Sequence, residues 1–254
     1  MTVLEADPQA VSAAALSNET WIDLGHGVML NPRAEGDASR DLLTPAAVEL
    51  LAAVHRALGA RRRELLAERA ERQAAWDAGA LPDYERRTSP AAAGDWQVAP
   101  IPADLRCRRV EITGPANDAK MVINMLSRNE AGDRADTAMI DLEDSMKPSW
   151  ENVVAGIGNI VKAVRHELEH VKPGVAGLPP RVYRLDPQDM AKIMVRVRGL
   201  HLEESNVRID GEPASGGFFD LALCLCHTLE VQARRGETPK VYVPKTEHFL
   251  EARL

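Results

Sequence analysis

The sequence predicts an α/β protein in which a helical N-terminal part is followed by strands that alternate with helices. Apolar residues recur at helical spacing over a long segment that begins near residue 44. Beyond residue 106, short segments rich in Val, Ile and Met alternate with helical segments, and one of them ends in a group of acids. Strands that alternate with helices are typical of a parallel sheet. Such sheets bind ligands at the carboxyl ends of their strands, so we expect the site there.

Composition narrows the class of protein. The chain has 254 residues, 45% of them hydrophobic and 27% charged, which suffices for one large domain or two modest ones. The net charge of −7 argues against a nucleic-acid partner and against binding to an anionic membrane surface. Three cysteines, Cys107, Cys224 and Cys226, are too few for a disulfide framework and fit a reducing compartment.

Targeting signals are also not apparent in the sequence. No apolar run approaches the roughly 20 residues of a membrane span. The first ten residues, MTVLEADPQA, lack the basic start and apolar stretch of a secretory signal. We therefore expect a cytoplasmic globular protein.

The N-terminal part is predicted to be irregular over residues 1–40 and helical after that. Thr44 can cap a helix whose first position is Pro45, and apolar residues share one face from Val48 to Leu58. Gly59 is expected to divide this helix from a second one. The arginine run at 61–63 is interpreted as a solvated helix face, in preference to an anion-binding patch, because glutamates lie nearby.

Four strand–helix units are predicted after a linker at 80–106 that is rich in Pro, Ala and Asp. The strands are expected at 109–113, 139–144, 194–199 and 240–247, and the helices between them at 118–128, 150–170 and 218–235. An eight-stranded barrel needs about 250 residues, whereas the fourth unit here has barely begun its helix at residue 254. An open half-barrel would expose two strand edges. We expect the chain to be the front part of a longer protein, or to have its missing half supplied otherwise.

The second predicted strand ends in a group of carboxylates. The segment TAMIDLEDSMKPSW places Asp141, Glu143 and Asp144 just before a polar turn that contains Ser145. Acids this close repel one another unless a cation or hydrogen-bond donors offset their charge. They predict a binding site, although a helix-capping acid followed by solvated loop charges is about equally compatible with the segment alone.

The other strand ends bring residues to the same edge. The third strand ends in VRVRGLH, where alternation puts Arg196 and Arg198 on one face. A buried arginine requires anionic partners, which the acids and a small carboxylate substrate could supply; an exposed arginine at the strand end is the alternative. The remaining residues expected at this edge are Gly114, Pro115, Pro244, Lys245 and Glu247.

Three further motifs favour structure over chemistry. HELEH, at 166–170, matches a zinc-protease pattern, but the helix is expected to stop at once, so a solvated helix end is preferred to a zinc site. Glycines at 211, 216 and 217 could bind a phosphate before a helix, but a loop and helix start capped by Ser215 is preferred. Cys224, Cys226 and His227 diverge around a helix and are interpreted as packing residues.

Longer motifs resemble those of a known family. Six segments are similar to the malate synthases, specifically the shorter A-type branch: WQVAPIPADLRCRRVEITGP, KMVINML, MIDLEDSMKPSWENVVAG, VRVRGLHLEE, DGEPASGGFFDLAL and VYVPKTEHFLEARL. The resemblance covers about residues 20–254. It implies an N-terminal helical clasp domain and linker at 1–98, followed at 99–254 by the first four β/α units of a TIM (β/α)8 barrel.

The resemblance also implies an activity. Malate synthases condense acetyl-CoA with glyoxylate and hydrolyse the product to malate and CoA, a step of the glyoxylate bypass. By similarity, Arg196 is the catalytic arginine that binds glyoxylate, Gly199 adjoins the substrate and Ser145 contacts acetyl-CoA.

Asp141 and Glu143 would lie beside a magnesium ion. Its direct ligands and the catalytic aspartate base are expected beyond residue 254, so the chain alone is expected to be inactive. A non-catalytic binding module built on a truncated barrel is the main alternative, and a HELEH zinc hydrolase is a weaker one.

Overall fold

The computed structural model describes residues 20–81, 83–84, 88–174 and 178–254. In chain order the strands are β1 (Ile22–Asp23), β2 (Val28–Leu30), β3 (Glu111–Pro115), β4 (Thr137–Asp141), β5 (Glu169–Lys172), β6 (Arg181–Arg184), β7 (Lys192–Arg196), β8 (Glu203–Ile209), β9 (Glu212–Ser215) and β10 (Val241–Tyr242). The α-helices are α1 (Asp37–Leu42), α2 (Pro45–Asp77), α3 (Pro90–Ala93), α4 (Ala119–Leu126), α5 (Trp150–Arg165), α6 (Gly216–Arg234) and α7 (Phe249–Arg253).

The parallel sheet contains the four predicted strands. Its order is β10-β7-β4-β3, so strands that follow one another through the helical crossovers are neighbours in the sheet. The register aligns the strand ends: Pro115 lies opposite Asp141, Asp141 opposite Arg196, and Arg196 opposite Tyr242. The prediction of a mixed α/β fold with a parallel sheet is confirmed.

Strands β4, β7 and β10 all end earlier than predicted, β4 at Asp141 and not at residue 144. The residues that follow β7 and β10 explain where those two strands end. After β7, the backbone N–H of Arg198 donates to the Asp220 carboxylate (2.8 Å) and so leaves the ladder. After β10, Pro244 has no N–H to donate, and Lys245 adopts a left-handed backbone with φ of 54°. The chain therefore turns away from the sheet at both places.

Helix α2 begins as predicted but continues through Gly59. Thr44 accepts a hydrogen bond from the Ala47 N–H (3.4 Å), and Pro45 takes the first helical position. The expected break at Gly59 is wrong, because one glycine costs a helix only about 1 kcal/mol. The residues on both sides are good helix formers, and Gly59 lies on the buried face.

The expectation of a solvated arginine face on α2 is wrong for one residue. Arg61 and Arg63 are exposed and pair with Glu64 and Glu212. Arg62 is buried instead, and its Nε donates to the carbonyl of Leu200 (2.5 Å).

A second, antiparallel sheet has the order β1-β2-β8-β9 and was not predicted. Strands β1 and β2, together with helix α1, overturn the expectation that residues 20–40 are irregular throughout, whereas residues 1–19 of that prediction lie outside the described residues. Strands β8 and β9 are joined through Asp210 and Gly211, both with positive φ, which is the backbone that a two-residue hairpin turn requires. Pairing of β2 with β8 connects the N-terminal part to the segment between β7 and α6.

One hydrophobic cluster joins the helices and both of these sheets. It contains Val28 and Leu51 from the N-terminal part together with Ile140, Ile157 and Phe219 from the strand–helix units, all of them almost fully buried. Helix α6 packs against α2 on one side and α5 on the other. Among the described residues, no helix is both long and apolar enough to cross a membrane.

Candidate functional site

The strand register brings the acid group and an arginine together. Asp141, the last residue of β4, is buried and lies opposite Arg196, the last residue of β7. Both Asp141 oxygens accept hydrogen bonds from the turn that follows: Oδ1 from the Glu143 N–H (2.8 Å), and Oδ2 from the N–H (3.0 Å) and hydroxyl (2.5 Å) of Ser145. Asp141 therefore fixes the shape of this turn.

Glu143 is buried and faces the other way, toward the loop after β7. Its Oε1 accepts a hydrogen bond from the Gly199 N–H (3.1 Å), and its Oε2 accepts one from Nη2 of Arg196 (3.0 Å). A Cβ on residue 199 would lie 2.9 Å from Glu143 Oε1 and closer still to His201. Glycine at this position therefore permits the close approach of backbone and carboxylate.

Arg196 lies at the centre of the cluster. Its Nη2 contacts Glu143 and Asp144, and its Nε is 3.6 Å from Asp141 Oδ1. Nε is buried and makes no hydrogen bond to any described residue. The guanidinium is thus held by three carboxylates, while its buried Nε–H has no hydrogen-bond acceptor among the described residues.

A lysine completes the cluster. Lys245 follows β10, and its Nζ lies 2.8 Å from Asp144 Oδ1 and 3.2 Å from Glu143 Oε1. The sequence places Lys245 at this edge without giving it a role. The signal that could have found the role is a lysine directly after one strand of a parallel sheet in which another strand, β4, ends in acids.

The pairings shift the pKa values of the exposed members. The hydrogen bond from Lys245, followed by the one from Arg196, lowers the pKa of Asp144 below its usual range. The same contact with Asp144 raises the pKa of Lys245. Burial opposes the charge of Arg196, but hydrogen bonding to Glu143 and the charge of Asp141 outweigh it and raise the pKa of Arg196. All three groups are therefore charged near neutral pH.

Arg198 lies outside this cluster. The sequence groups it with Arg196, but Arg198 is buried on the side of α6, where it contacts Asp220 (2.8 Å) and Glu204 (2.8 Å). Glycines allow this packing, because a Cβ on residue 217 would lie 2.5 Å from the Arg198 carbonyl oxygen. The glycines in the first turn of α6 thus accommodate an arginine. Ser215 precedes the helix as predicted but makes no side-chain capping hydrogen bond.

The HELEH motif is not a helical metal pair. Helix α5 ends at Arg165, His166 has a left-handed backbone with φ of 65°, and His170 lies in β5. The prediction of a helix to residue 170 is wrong, because β5 pairs with β6 in a hairpin that local sequence does not reveal. The two histidines therefore do not lie on one helix face, and the hypothesis of a zinc site at HELEH has no geometric support. Cys224 is buried in the core, as expected of a packing residue.

The described residues do not by themselves fit a magnesium ion. Carboxylates are suitable oxygen donors for that metal. However, both Asp141 oxygens accept protein donors, and both Glu143 oxygens face a donor or a cationic side chain. Among the described residues, no group of three or more His, Cys, Asp or Glu could hold a metal.

Fold and site together define an α/β protein whose parallel strands follow one another as in a TIM barrel and carry a charged cluster at their carboxyl ends. Residues 32–89 match the family described as "Malate synthase, N-terminal domain", and residues 192–254 match "Malate synthase, TIM barrel domain". The chain therefore belongs to the malate synthase family.

Relatives agree with this assignment over most of the chain. The malate synthase of Myxococcus xanthus is 42% identical over 230 residues, which cover 91% of this chain and 40% of that protein. Malate synthase A of Escherichia coli is 39% identical, with 87% and 39% covered. The glyoxysomal malate synthase of Ricinus communis is 37% identical, with 98% and 42% covered. The chain thus spans about 40% of the length of these curated relatives.

Proposed function

We propose that this chain carries the glyoxylate-binding part of a malate synthase, which joins acetyl-CoA to glyoxylate and releases malate and CoA. The observation that carries the proposal is the position of Arg196. The sheet register sets it beside Asp141 at the strand ends, with a buried Nε that makes no hydrogen bond to the described residues. The relatives named malate synthase support the reaction class.

Binding of glyoxylate requires a cation that the carboxylate of the substrate can reach. Asp144 is the most exposed of the three acids, with 54% of its side chain accessible, whereas Asp141 and Glu143 are almost fully buried. We propose that the substrate carboxylate replaces Asp144 beside Arg196, while the two buried acids keep the guanidinium in place. A planar guanidinium suits a bidentate carboxylate.

The chemistry then depends on charge that develops during the reaction. The methyl protons of a thioester are weakly acidic, so a base must remove one while cations stabilise the oxyanions that form. In this proposal Arg196 is the catalytic residue, and its guanidinium stabilises that negative charge. Gly199 borders the substrate, and Ser145 contacts acetyl-CoA; both roles are inferred from the family resemblance.

Magnesium remains a prediction from the resemblance, with Asp141 and Glu143 lining its surroundings. No step of the proposal passes through the metal, because the described residues do not supply a site for it. The division into a helical clasp with linker at 1–98 and barrel units at 99–254 also remains a proposal. A cytoplasmic location is likewise proposed, and three free cysteines support it.

Titration calorimetry with glyoxylate tests the proposal on the 254-residue chain. We expect binding that Arg196→Lys weakens at least tenfold, since one ammonium replaces a bidentate fork. Arg128→Lys is the matched control, because Arg128 pairs with Asp189 away from the cluster, and it should bind as the parent does. Acetate, which lacks the aldehyde, serves as the ligand control. Equal affinity of a folded Arg196→Lys variant and the parent, or no binding by the folded parent, would contradict the proposal.

A non-catalytic binding module is the alternative from another functional class. Both the binding module and the enzyme are expected to bind ligand, but only the enzyme is expected to turn substrate over. A chimera separates the two: this chain replaces the matching part of the Myxococcus xanthus relative, and release of free CoA from acetyl-CoA is measured with and without glyoxylate. Glyoxylate-dependent release supports the enzyme, and its absence from a folded, glyoxylate-binding chimera supports the module.

A further inference from the structure

A second charged cluster lies behind the candidate site, where the C-terminal half of α2 meets α7. Its centre is Glu251, whose side chain is fully buried. Arg69 binds this carboxylate in bidentate fashion, with Nε 2.7 Å from Oε1 and Nη2 2.8 Å from Oε2. Arg72 lies 3.7 Å from the same carboxylate. This arrangement ties α2 to α7 across 182 positions of sequence.

The same arginine also holds the loop that joins β10 to α7. Nη2 of Arg69 donates to the carbonyl oxygen of Lys245 (2.9 Å), and Nη1 lies 3.2 Å from Glu247 Oε1. Glu251 contributes from the other side, because its Oε2 accepts the Glu247 N–H (2.7 Å). The loop is therefore fixed at the backbone on both sides of residue 246.

The backbone of Lys245 requires such support. Its φ of 54° lies in the left-handed region, which non-glycine residues other than Asn and Asp rarely adopt. The direction of the side chain depends on this conformation, because a change of φ at the Cα would redirect the whole side chain. In the observed conformation Nζ reaches both Glu143 and Asp144.

We infer that Arg69 is a positioning residue for the candidate site: through the Lys245 carbonyl it holds the Lys245 ammonium against Glu143 and Asp144. The functional meaning of this inference rests on the proposed function, whereas the geometric coupling does not. Arg69 lies on α2, so the N-terminal helix sets the position of a cation at the strand ends of the sheet.

Loss of Arg69 should change how Lys245 titrates. Glu143 and Asp144 face its ammonium and favour the charged form, and Arg196 is the other cation in the cluster. If the loop turns away, these acids no longer stabilise the ammonium, and the pKa of Lys245 falls toward its ordinary value. A fall of one unit raises the neutral, reactive fraction of an amine about tenfold.

Lysine acetylation by an N-hydroxysuccinimide ester, read by mass spectrometry across a pH series, measures this effect in the 254-residue chain. Arg69→Ala should raise labelling of Lys245 by about three- to tenfold and shift its pH profile to lower pH. Labelling of the exposed Lys172 should not change. Arg61→Ala is the matched control, because Arg61 lies on the same helix but pairs with Glu64 and Glu68; it should leave Lys245 as in the parent.

Several outcomes overturn the inference. Unchanged labelling of Lys245 in folded Arg69→Ala does so, and so does an equal rise in Arg61→Ala. If Lys240, whose side chain is only 7% accessible, is also labelled, then Arg69→Ala has lost its fold. In that case Arg69→Lys decides: one ammonium can pair with Glu251 but cannot also hold the Lys245 carbonyl in the same geometry. Labelling of Lys245 in Arg69→Lys that lies between the parent and the Arg69→Ala values supports the inference, and labelling equal to that of the parent refutes it.

The result is separable from the test of the proposed function. Acetylation is measured without glyoxylate, and calorimetry is measured without the label. A labelling change in a chain that does not bind glyoxylate would retain the positioning role and reject the proposed function. Glyoxylate binding by the parent, together with unchanged Lys245 labelling in folded Arg69→Ala, would retain the proposed function and reject the positioning role.

Discussion

Replacement of the buried Arg198 by methionine should destabilise the protein strongly. Arg198 is 2% exposed, and its guanidinium is enclosed by Asp220, which is fully buried, and Glu204, which is 4% exposed. Burial lowers the pKa of Arg198, but the two carboxylates more than reverse this effect and raise it. Methionine fills a similar volume but leaves both carboxylates without their cation.

The expected loss is about 3–5 kcal/mol in the free energy of unfolding at pH 7, the usual cost of removing one partner of a buried ion pair. This is a large part of the 5–15 kcal/mol that natural domains possess. Burial already raises the pKa of Asp220, and loss of the nearby cation should raise it further. A carboxyl with a raised folded pKa contributes stability that is lost as pH rises. The difference between Arg198→Met and the parent should therefore grow toward pH 7, once the pH passes the already raised native-state pKa of Asp220 in the parent.

Urea unfolding followed by tryptophan fluorescence and circular dichroism measures both quantities. Arg56→Met is the matched control, because Arg56 pairs with Asp210 in a half-exposed ion pair, and its effect should be small. A double-mutant cycle with Asp220→Asn should show that the two changes together cost less than their sum. A loss below about 1 kcal/mol at pH 7, of the size expected for a surface pair, would refute this reasoning, as would a loss that does not vary with pH.

Three further predictions concern catalysis, packing and pH dependence. In the chimera, Arg196→Lys should lower glyoxylate-dependent CoA release by about 100-fold or more, and a variant with near-parental rates would exclude the catalytic role. Gly156→Ala should destabilise by about 1–3 kcal/mol, because the added Cβ would lie 2.8 Å from two side-chain carbons, whereas Gly158→Ala, with open space, should stabilise by up to about 1 kcal/mol; equal urea midpoints would contradict this. Burial and Arg235 lower the pKa of His166, so its stabilisation is lost as pH falls below about 6.5. His166→Asn, which tolerates the left-handed backbone, should weaken the dependence of the melting temperature on pH between about 5 and 7, and an unaltered dependence would count against a neutral, partly buried imidazole.

Local sequence signals predicted much of the fold. Thr44 and Pro45 specify the start of α2, because a capping hydroxyl and a proline suit a helix N-terminus. The apolar segments around Ile140 and Val195 predict buried strands of a parallel sheet. These features depend on neighbouring residues, which is why they could be read without the structure.

Features that depend on distant partners were missed. The segment that contains His170 becomes a strand only because Arg181–Arg184 pairs with it. Gly59 remains helical because α2 packs against α6, and packing outweighs the modest helix penalty of one glycine. The burial of Arg62 depends on the Leu200 carbonyl, 138 positions away.

By itself, the sequence determined the class of fold, the family, and the acids and arginine that gather at the strand ends, since periodicity and motif are properties of adjacent residues. The tertiary structure alone decided how the other charges pair. It left only Arg196 among the acids at the strand ends, placed Arg198 in a separate buried network, and brought Arg69 to the carbonyl of Lys245. Alternation along a strand cannot distinguish these outcomes, because the pairing of each charged group depends on which distant carboxylate or carbonyl shares its low-dielectric surroundings.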